Sequence, residues 1–208
     1  MQEYKKERKN DMNGFVYDIP TRIYFGQDQL CHLGDELKKY GKKVLVAYGG
    51  GSIKKSGLYD KVMAQISAAG LYAAELPGIE PNPKIDSVRR GAELCKQENI
   101  DMVLAVGGGS VIDSAKAIGY GLANDGDVWD FYEHTRQASA CLPIGVVLTI
   151  AASGSEMSNS SVITNDETLE KRGYNNDISR PVFAVMNPEI TMTLPPYQTA
   201  CGWTDILM

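Results

Sequence analysis

Apolar positions along the chain fall into two alternating kinds of block. Short runs without two-residue alternation, VLVAY at 44–48, residues 71–76, MVLAV at 102–106 and PIGVVLTI at 143–150, have the composition of strands covered on both faces. Between them, apolar residues recur at helical spacing. Leu30, Leu33, Leu37 and Tyr40 mark a helix over 28–40 that Gly41 stops. Leu58, Val62 and Ile66 mark a second, ended by Gly70. Ile85, Val88, Ala92 and Cys95 mark a third, and Val111, Ala115, Ile118 and Leu122 a fourth. Residues 15–25 (FVYDIPTRIYF) predict a further strand interrupted by Pro20, and 180–188 (RPVFAVMNP) another. Strands alternating with helices predict an α/β fold: a mostly parallel sheet, right-handed crossovers and helices on both faces. Residues 77–86 (PGIEPNPKID) read as a Pro-rich loop, and the stretch after residue 150 as polar, Ser-rich sequence.

Composition narrows the class. Over 208 residues, 43% are hydrophobic and 23% charged, an ordinary globular balance. The net charge of −5 argues against general nucleic-acid binding. No apolar run approaches a membrane span, and MQEYKKERKN is not a signal peptide. Cys31, Cys95, Cys141 and Cys201 form no CxxC pair, which fits neither a disulfide framework nor a zinc site and suits a cytoplasmic protein. Residues 1–13 read as a charged tail.

Two strands end in the same sequence, Gly-Gly-Gly-Ser, at 49–52 and 107–110. Glycines there permit positive φ and close approach of an anion to the backbone. Ser110 and Asp113 have capping-box spacing, so the helix from Val111 is expected to present free N–H groups and the positive end of its dipole to a phosphate. A tight turn that binds nothing is the alternative. Neither loop is GxGxxG, and neither is a Walker A sequence. No carboxylate follows the first cluster until Asp60, while Lys54 and Lys55 lie near. That pattern leans toward a coenzyme 2′-phosphate, with solvated surface lysines as the alternative.

Taken together, YGGGSIKKSG (48–57), PNP (81–83), GGGSVIDSAK (107–116), TIAASGSEMS (149–158) and NPEITMTLPPYQTACGWTD (187–205) resemble the iron-containing alcohol dehydrogenases, in particular the NADPH-dependent butanol dehydrogenase group. The resemblance implies a Rossmann-like dinucleotide-binding α/β domain over 14–196. Residues 197–208 would be the stub of the first helix of the family's all-helical, metal-binding C-terminal domain, otherwise missing. It also implies an NADP-dependent (NAD possible) alcohol or aldehyde oxidoreductase that passes hydride between a primary alcohol or aldehyde and nicotinamide.

The resemblance assigns positions as well. Gly107, Gly108, Gly109 and Ser110 would contact the pyrophosphate, and Gly50 and Ser52 the adenosine ribose. Asn82 would lie near the adenosine side, Thr149, Ser153 and Ser158 would line the cleft, and Lys171 and Ile190 would make further coenzyme contacts. Read without it, Thr149 and Ser153 could cap a helix, Asn82 could shape a turn, Asp113 reads as a cap rather than a catalytic group, and Lys171 reads as a surface residue in a polar loop.

The family's metal, Fe²⁺ or another divalent ion, is held by an Asp and three His, the first two spaced Asp-x-x-x-His. Asp205 matches the Asp, and the sequence given stops at Met208, one residue short of the His. His32 and His134 match no ligand position. One carboxylate cannot hold a divalent ion against water, so this chain alone is expected to be inactive. Trp203, Ile206 and Leu207 are expected to form an exposed apolar patch. The family often forms homodimers through this domain. A stand-alone dinucleotide-binding module without catalysis, or a glycerol dehydrogenase-like polyol oxidoreductase, are the alternative readings.

Overall fold

The computed structural model describes Val16 and residues 18–207. The charged tail over 1–13 lies outside the described residues. Six strands form one parallel sheet: β1 (Arg22–Phe25), β2 (Lys43–Tyr48), β3 (Tyr72–Leu76), β4 (Met102–Gly107), β5 (Ile144–Leu148) and β8 (Phe183–Met186), in the order β1-β8-β5-β4-β2-β3. The expected parallel α/β sheet is therefore present. Ala47 pairs with Ala105 across β2 and β4, and Ala105 with Val146 across β4 and β5.

Both faces of the sheet are buried, which is why its central strands carry no polar alternation. On one face Leu45, Ala47, Val103, Ala105, Ile144 and Val146 pack with α4 (Ile85–Glu98) and α5 (Gly109–Ala123). On the other, Val44, Val46, Tyr48, Leu104 and Val106 pack with α1 (Leu33–Leu37) and α3 (Leu58–Ala68). Each fully buried aliphatic side chain contributes about 1.5–3 kcal/mol. The helices α4 and α5 come close because Gly91 carries no side chain: a Cβ there would lie 2.5 Å from Ile118 Cδ1.

Local signals account for several ends. Gly70 adopts φ +71 after α3, and Leu71 N–H donates back to Ile66 O at 3.1 Å, closing that helix. Asn99, at φ 53, does the same for α4. Of the strand expected over 15–25, residues 15 and 17 lie outside the described residues, and among the rest only those after Pro20 and Thr21 pair with β8. The 28–40 helix resolves into a 3₁₀ turn over Gln29–His32, the short α1, and turns up to Gly41.

The Ser-rich stretch holds what the pattern did not reveal. An antiparallel hairpin, β6 (Ser160–Asn165) and β7 (Glu170–Asn175), stands apart from the main sheet. Its β6 alternates half-buried and buried residues, the two-residue period of a strand with one covered face. The remaining helices are short α2 (Ser52–Lys55), α6 (Trp129–Tyr132) and α7 (Pro188–Thr191), and α8 (Pro196–Leu207).

Candidate dinucleotide site

The connection after β2 leaves toward β3, and the one after β4 leaves toward β5 on the opposite side. These two neighbouring strands therefore flank the point where the direction of winding reverses, and a crevice opens at their carboxyl ends. Both Gly-Gly-Gly-Ser turns lie there, one after Tyr48 and one at the end of β4.

The second turn is built for close approach rather than for unusual backbone angles. Gly107, Gly108 and Gly109 all avoid positive φ, as do Gly49, Gly50 and Gly51, which corrects the expectation from sequence. What demands glycine in the second turn is crowding. A Cβ on Gly107 would lie 2.5 Å from Val111 Cγ2, one on Gly108 would run into Ile150 Cγ2, and one on Gly109 would sit 3.0 Å from Ser153 Oγ. Gly108 O takes the N–H groups of Val111 and Ile112 at 3.0 and 3.1 Å. Among the described residues, the Gly109 and Ser110 N–H groups meet no protein acceptor, as the first groups of a helix must. The 15-residue α5 thus directs unpaired donors and its positive dipole end into the crevice.

The Ser110–Asp113 capping box does not form. Gly108 is the N-cap, and no side chain caps the helix. Asp113 instead faces the 149–160 segment, accepting Ser155 Oγ at 2.6 Å on Oδ1 and the Val162 N–H at 3.0 Å on Oδ2. One turn on, fully buried Lys116 sends its ammonium to Ser155 O (2.7 Å), Ser155 Oγ (3.0 Å), Ser160 O (2.8 Å) and Ser158 Oγ (3.2 Å). Burial pushes the Lys116 ammonium down to about 8 and raises the Asp113 carboxyl. The sequence reading gave Lys116 no role. Its i+3 spacing from Asp113, on the buried face of α5, was the available signal.

This buried ion network shapes the segment that carries Thr149, Ser153 and Ser158. No helix follows β5 for Thr149 or Ser153 to cap; the chain runs through bends, with Gly154 at φ +70. Thr149 N–H donates to Gly107 O at 3.1 Å, tying the segment to the glycine turn. Ser153 is exposed beside Gly109.

Asn82 and Lys171 meet. Asn82 sits at φ 56 in the turn before α4, and its Oδ1 accepts Lys171 Nζ at 2.7 Å. Lys171 is not in a loop: it lies on β7, opposite Thr164. Thr164 N–H donates to Pro83 O at 2.8 Å, and Lys84 pairs with Asp166 at 2.5 Å. The hairpin is thus clamped to the turn that follows β3. Thr164 Oγ1 is buried there without a hydrogen-bond partner among the described residues.

Gly50 and Ser52 open the first turn, and a Cβ on Gly50 would meet nothing within 4 Å. Ile190 is not brought to the glycine turns. It lines a separate cavity of about 550 Å³ with Ser56, Leu58, Lys61, Asn187 and Thr193. Asp205 is exposed on α8, and no group of three or more His, Cys, Asp or Glu among the described residues could hold a metal ion. His32 stacks on Tyr24 at 4.7 Å. The donor set thus fits a diphosphate, and it does not fit a divalent metal.

The iron-containing alcohol dehydrogenase family model matches residues 20–188. The chain is 50% identical over 196 residues to the probable NADH-dependent butanol dehydrogenase 1 of Bacillus subtilis, covering 94% of this chain and 51% of that protein. It is 36% identical to the NADPH-dependent aldehyde reductase YqhD of Escherichia coli, covering 93% and 50%. The crystal structure of NADH-dependent butanol dehydrogenase A from Thermotoga maritima superposes with a TM-score of 0.91 at 43% identity, covering 93% of this chain and 49% of that one. The chain spans about half the length of the relatives it matches. By the family match, the shared sequence and the shared fold, this chain belongs to the iron-containing alcohol dehydrogenases.

Proposed function

We propose that this chain is the coenzyme-binding part of a nicotinamide-dependent alcohol or aldehyde oxidoreductase acting on a primary alcohol such as butanol or its aldehyde. The observation that carries the reading is the pair of glycine turns at the reversal point, with the unpaired N–H groups of α5 aimed between them. A diphosphate accepts charge-assisted hydrogen bonds from Gly109 and Ser110, close to the backbone at Gly107 and Gly108. Gly50 and Ser52 leave room for the adenosine ribose. Asn82, Lys171, Thr149, Ser153 and Ser158 bound the cleft beyond it, while Ile190, in its separate cavity, is left out of this reading. The bound coenzyme supplies hydride chemistry, and the chain's own part is to grip, orient and partly shield it.

The finer coenzyme reading is NADP(H), with NAD(H) possible. Its support is the absence of a carboxylate between Gly49 and Lys55; the named relatives are divided between the two coenzymes. A second reading, dinucleotide binding without turnover by this chain, is favoured by the lone exposed Asp205. Titrating NADH and NADPH into the chain while following nicotinamide fluorescence, then assaying butyraldehyde reduction with added Fe²⁺, tests both. Saturable binding is expected for the first and no turnover for the second. Failure to bind either coenzyme overturns the proposal.

A further inference from the structure

Beside the first glycine turn, four side chains that no spacing along the chain connects form a cluster. Glu75 lies on the edge strand β3, level with Val46 of β2. Its carboxylate accepts the Tyr48 hydroxyl at 2.6 Å and the Tyr59 hydroxyl at 2.8 Å. Lys54, two residues past Ser52 on α2, holds its ammonium over both of those rings, 4.6 Å from the Tyr59 centroid and 5.3 Å from that of Tyr48. Lys54 is exposed, yet its ammonium is drawn onto the two rings rather than left pointing freely into solvent. Tyr48 directly precedes Gly49 and Lys54 follows Ser52 by two residues, so the cluster flanks the turn where the proposed ribose site opens.

The chemistry is directional. A phenol that donates its proton to a carboxylate has a more electron-rich ring, and such a ring holds a cation more strongly. The hydrogen bond from Tyr48 holds the Glu75 carboxyl below its ordinary value, so the charge persists at neutral pH. The negative charge of Glu75 also draws on Lys54 directly.

Resting on the coenzyme reading above, we propose that Glu75 is a positioning residue for coenzyme choice: acting through the Tyr48 and Tyr59 rings, it withholds Lys54 from the adenosine 2′ group and so limits the advantage of a 2′-phosphate over a 2′-hydroxyl. No carboxylate in the glycine turn itself is needed for this effect. The carboxylate comes instead from the neighbouring strand.

The test is the ratio of NADPH to NADH dissociation constants, measured by fluorescence titration on the full 208-residue chain. Glu75→Gln is expected to shift that ratio toward NADPH by about fivefold, the equivalent of releasing a hold of about 1 kcal/mol. Glu75→Thr, which suits an exposed edge strand, is expected to shift it in the same direction. Adding Lys54→Met to Glu75→Gln is expected to erase the gain, while Lys54→Met alone leaves the ratio close to that of the parent. A merely structural role for Glu75 would weaken both coenzymes together. Binding of both with a ratio that neither Glu75 variant moves, or a gain that survives loss of Lys54, overturns this inference alone. A parent chain that binds neither coenzyme overturns it together with the reading it rests on.

Discussion

Lys171 Nζ donates to Asn82 Oδ1 at 2.7 Å, joining two residues 89 positions apart in the chain. The bond ties the β6–β7 hairpin to the turn between β3 and α4, alongside the Thr164 N–H bond to Pro83 O and the Lys84–Asp166 pair. Because it is exposed, its contribution to stability is small, below about 1 kcal/mol. Its effect on binding is expected to be larger, since it fixes the position of a cation beside the crevice. Asn82→Ala and Lys171→Met are each expected to weaken dinucleotide binding by about tenfold, with the double variant little worse than either single one. Fluorescence titration of the four proteins checks this; fully additive losses would show that the two side chains act separately.

The glycines of the two turns divide by what surrounds them. Gly107→Ala places a methyl 2.5 Å from Val111 Cγ2, and such overpacking costs about 1–3 kcal/mol. Gly50→Ala enters open space and is expected to change stability by less than about 0.5 kcal/mol. Urea unfolding of the two variants distinguishes them, and equal midpoints would contradict the packing described for β4 and α5.

Lys116 is the most consequential single side chain in the site. Lys116→Met strands Asp113 as a buried carboxylate and removes the donor to Ser155 O and Ser160 O. Loss of one partner of a buried charge costs about 3–5 kcal/mol. Asp113→Asn in the same background relieves the stranded charge and is expected to recover part of that loss. Chemical denaturation measures both.

The same lysine sets a pH dependence. Burial lowers its folded value to about 8 from the ordinary lysine value of 10.5. The unfolded chain therefore binds the proton more tightly, and ν_U exceeds ν_N between those values. Stability from this group rises with pH through roughly 8 to 10, by on the order of 3 kcal/mol, and the cost of burying the charge is fully present below that window. Unfolding free energies of the parent and of Lys116→Met across pH 7–10 give the test, because the rise is absent from the variant.

On α8 Tyr197, Trp203, Ile206 and Leu207 are 80%, 68%, 59% and 87% exposed, with Met192 nearby in sequence at 81%. Exposed large apolar side chains gathered on one short segment promote association. Sedimentation of the 208-residue chain is expected to show concentration-dependent self-association that Trp203→Glu reduces. A concentration-independent monomer would show that the patch is too dispersed to act.

Read from the sequence alone, the central strands and their helices emerge clearly, because burial on both faces leaves unbroken apolar runs and the covering helices keep a 3.6-residue period. Glycine turns at strand ends mark the crevice for the same local reason. The β6–β7 hairpin is hidden in the sequence, since β6 reads Ser-Ser-Val-Ile-Thr-Asn and buries Ser161 and Asn165 beside Ile163, so its two-residue burial period leaves no two-residue apolar pattern. Asp113 looked like a helix cap because spacing reports only neighbours along the chain. Its true partners, Ser155 and Val162, are 42 and 49 residues away.

Periodicity and turn chemistry thus determined the layers of this protein and the edge at which a ligand could sit. Tertiary structure alone decided which charges face one another there: Lys116 with Asp113 through Ser155, Lys171 with Asn82, and Glu75 with the tyrosines under Lys54. The reason is physical. A strand's apolar pattern is imposed by the solvent it avoids, which every residue carries with it, whereas a buried or shared charge is defined by partners that only the folded chain brings within reach.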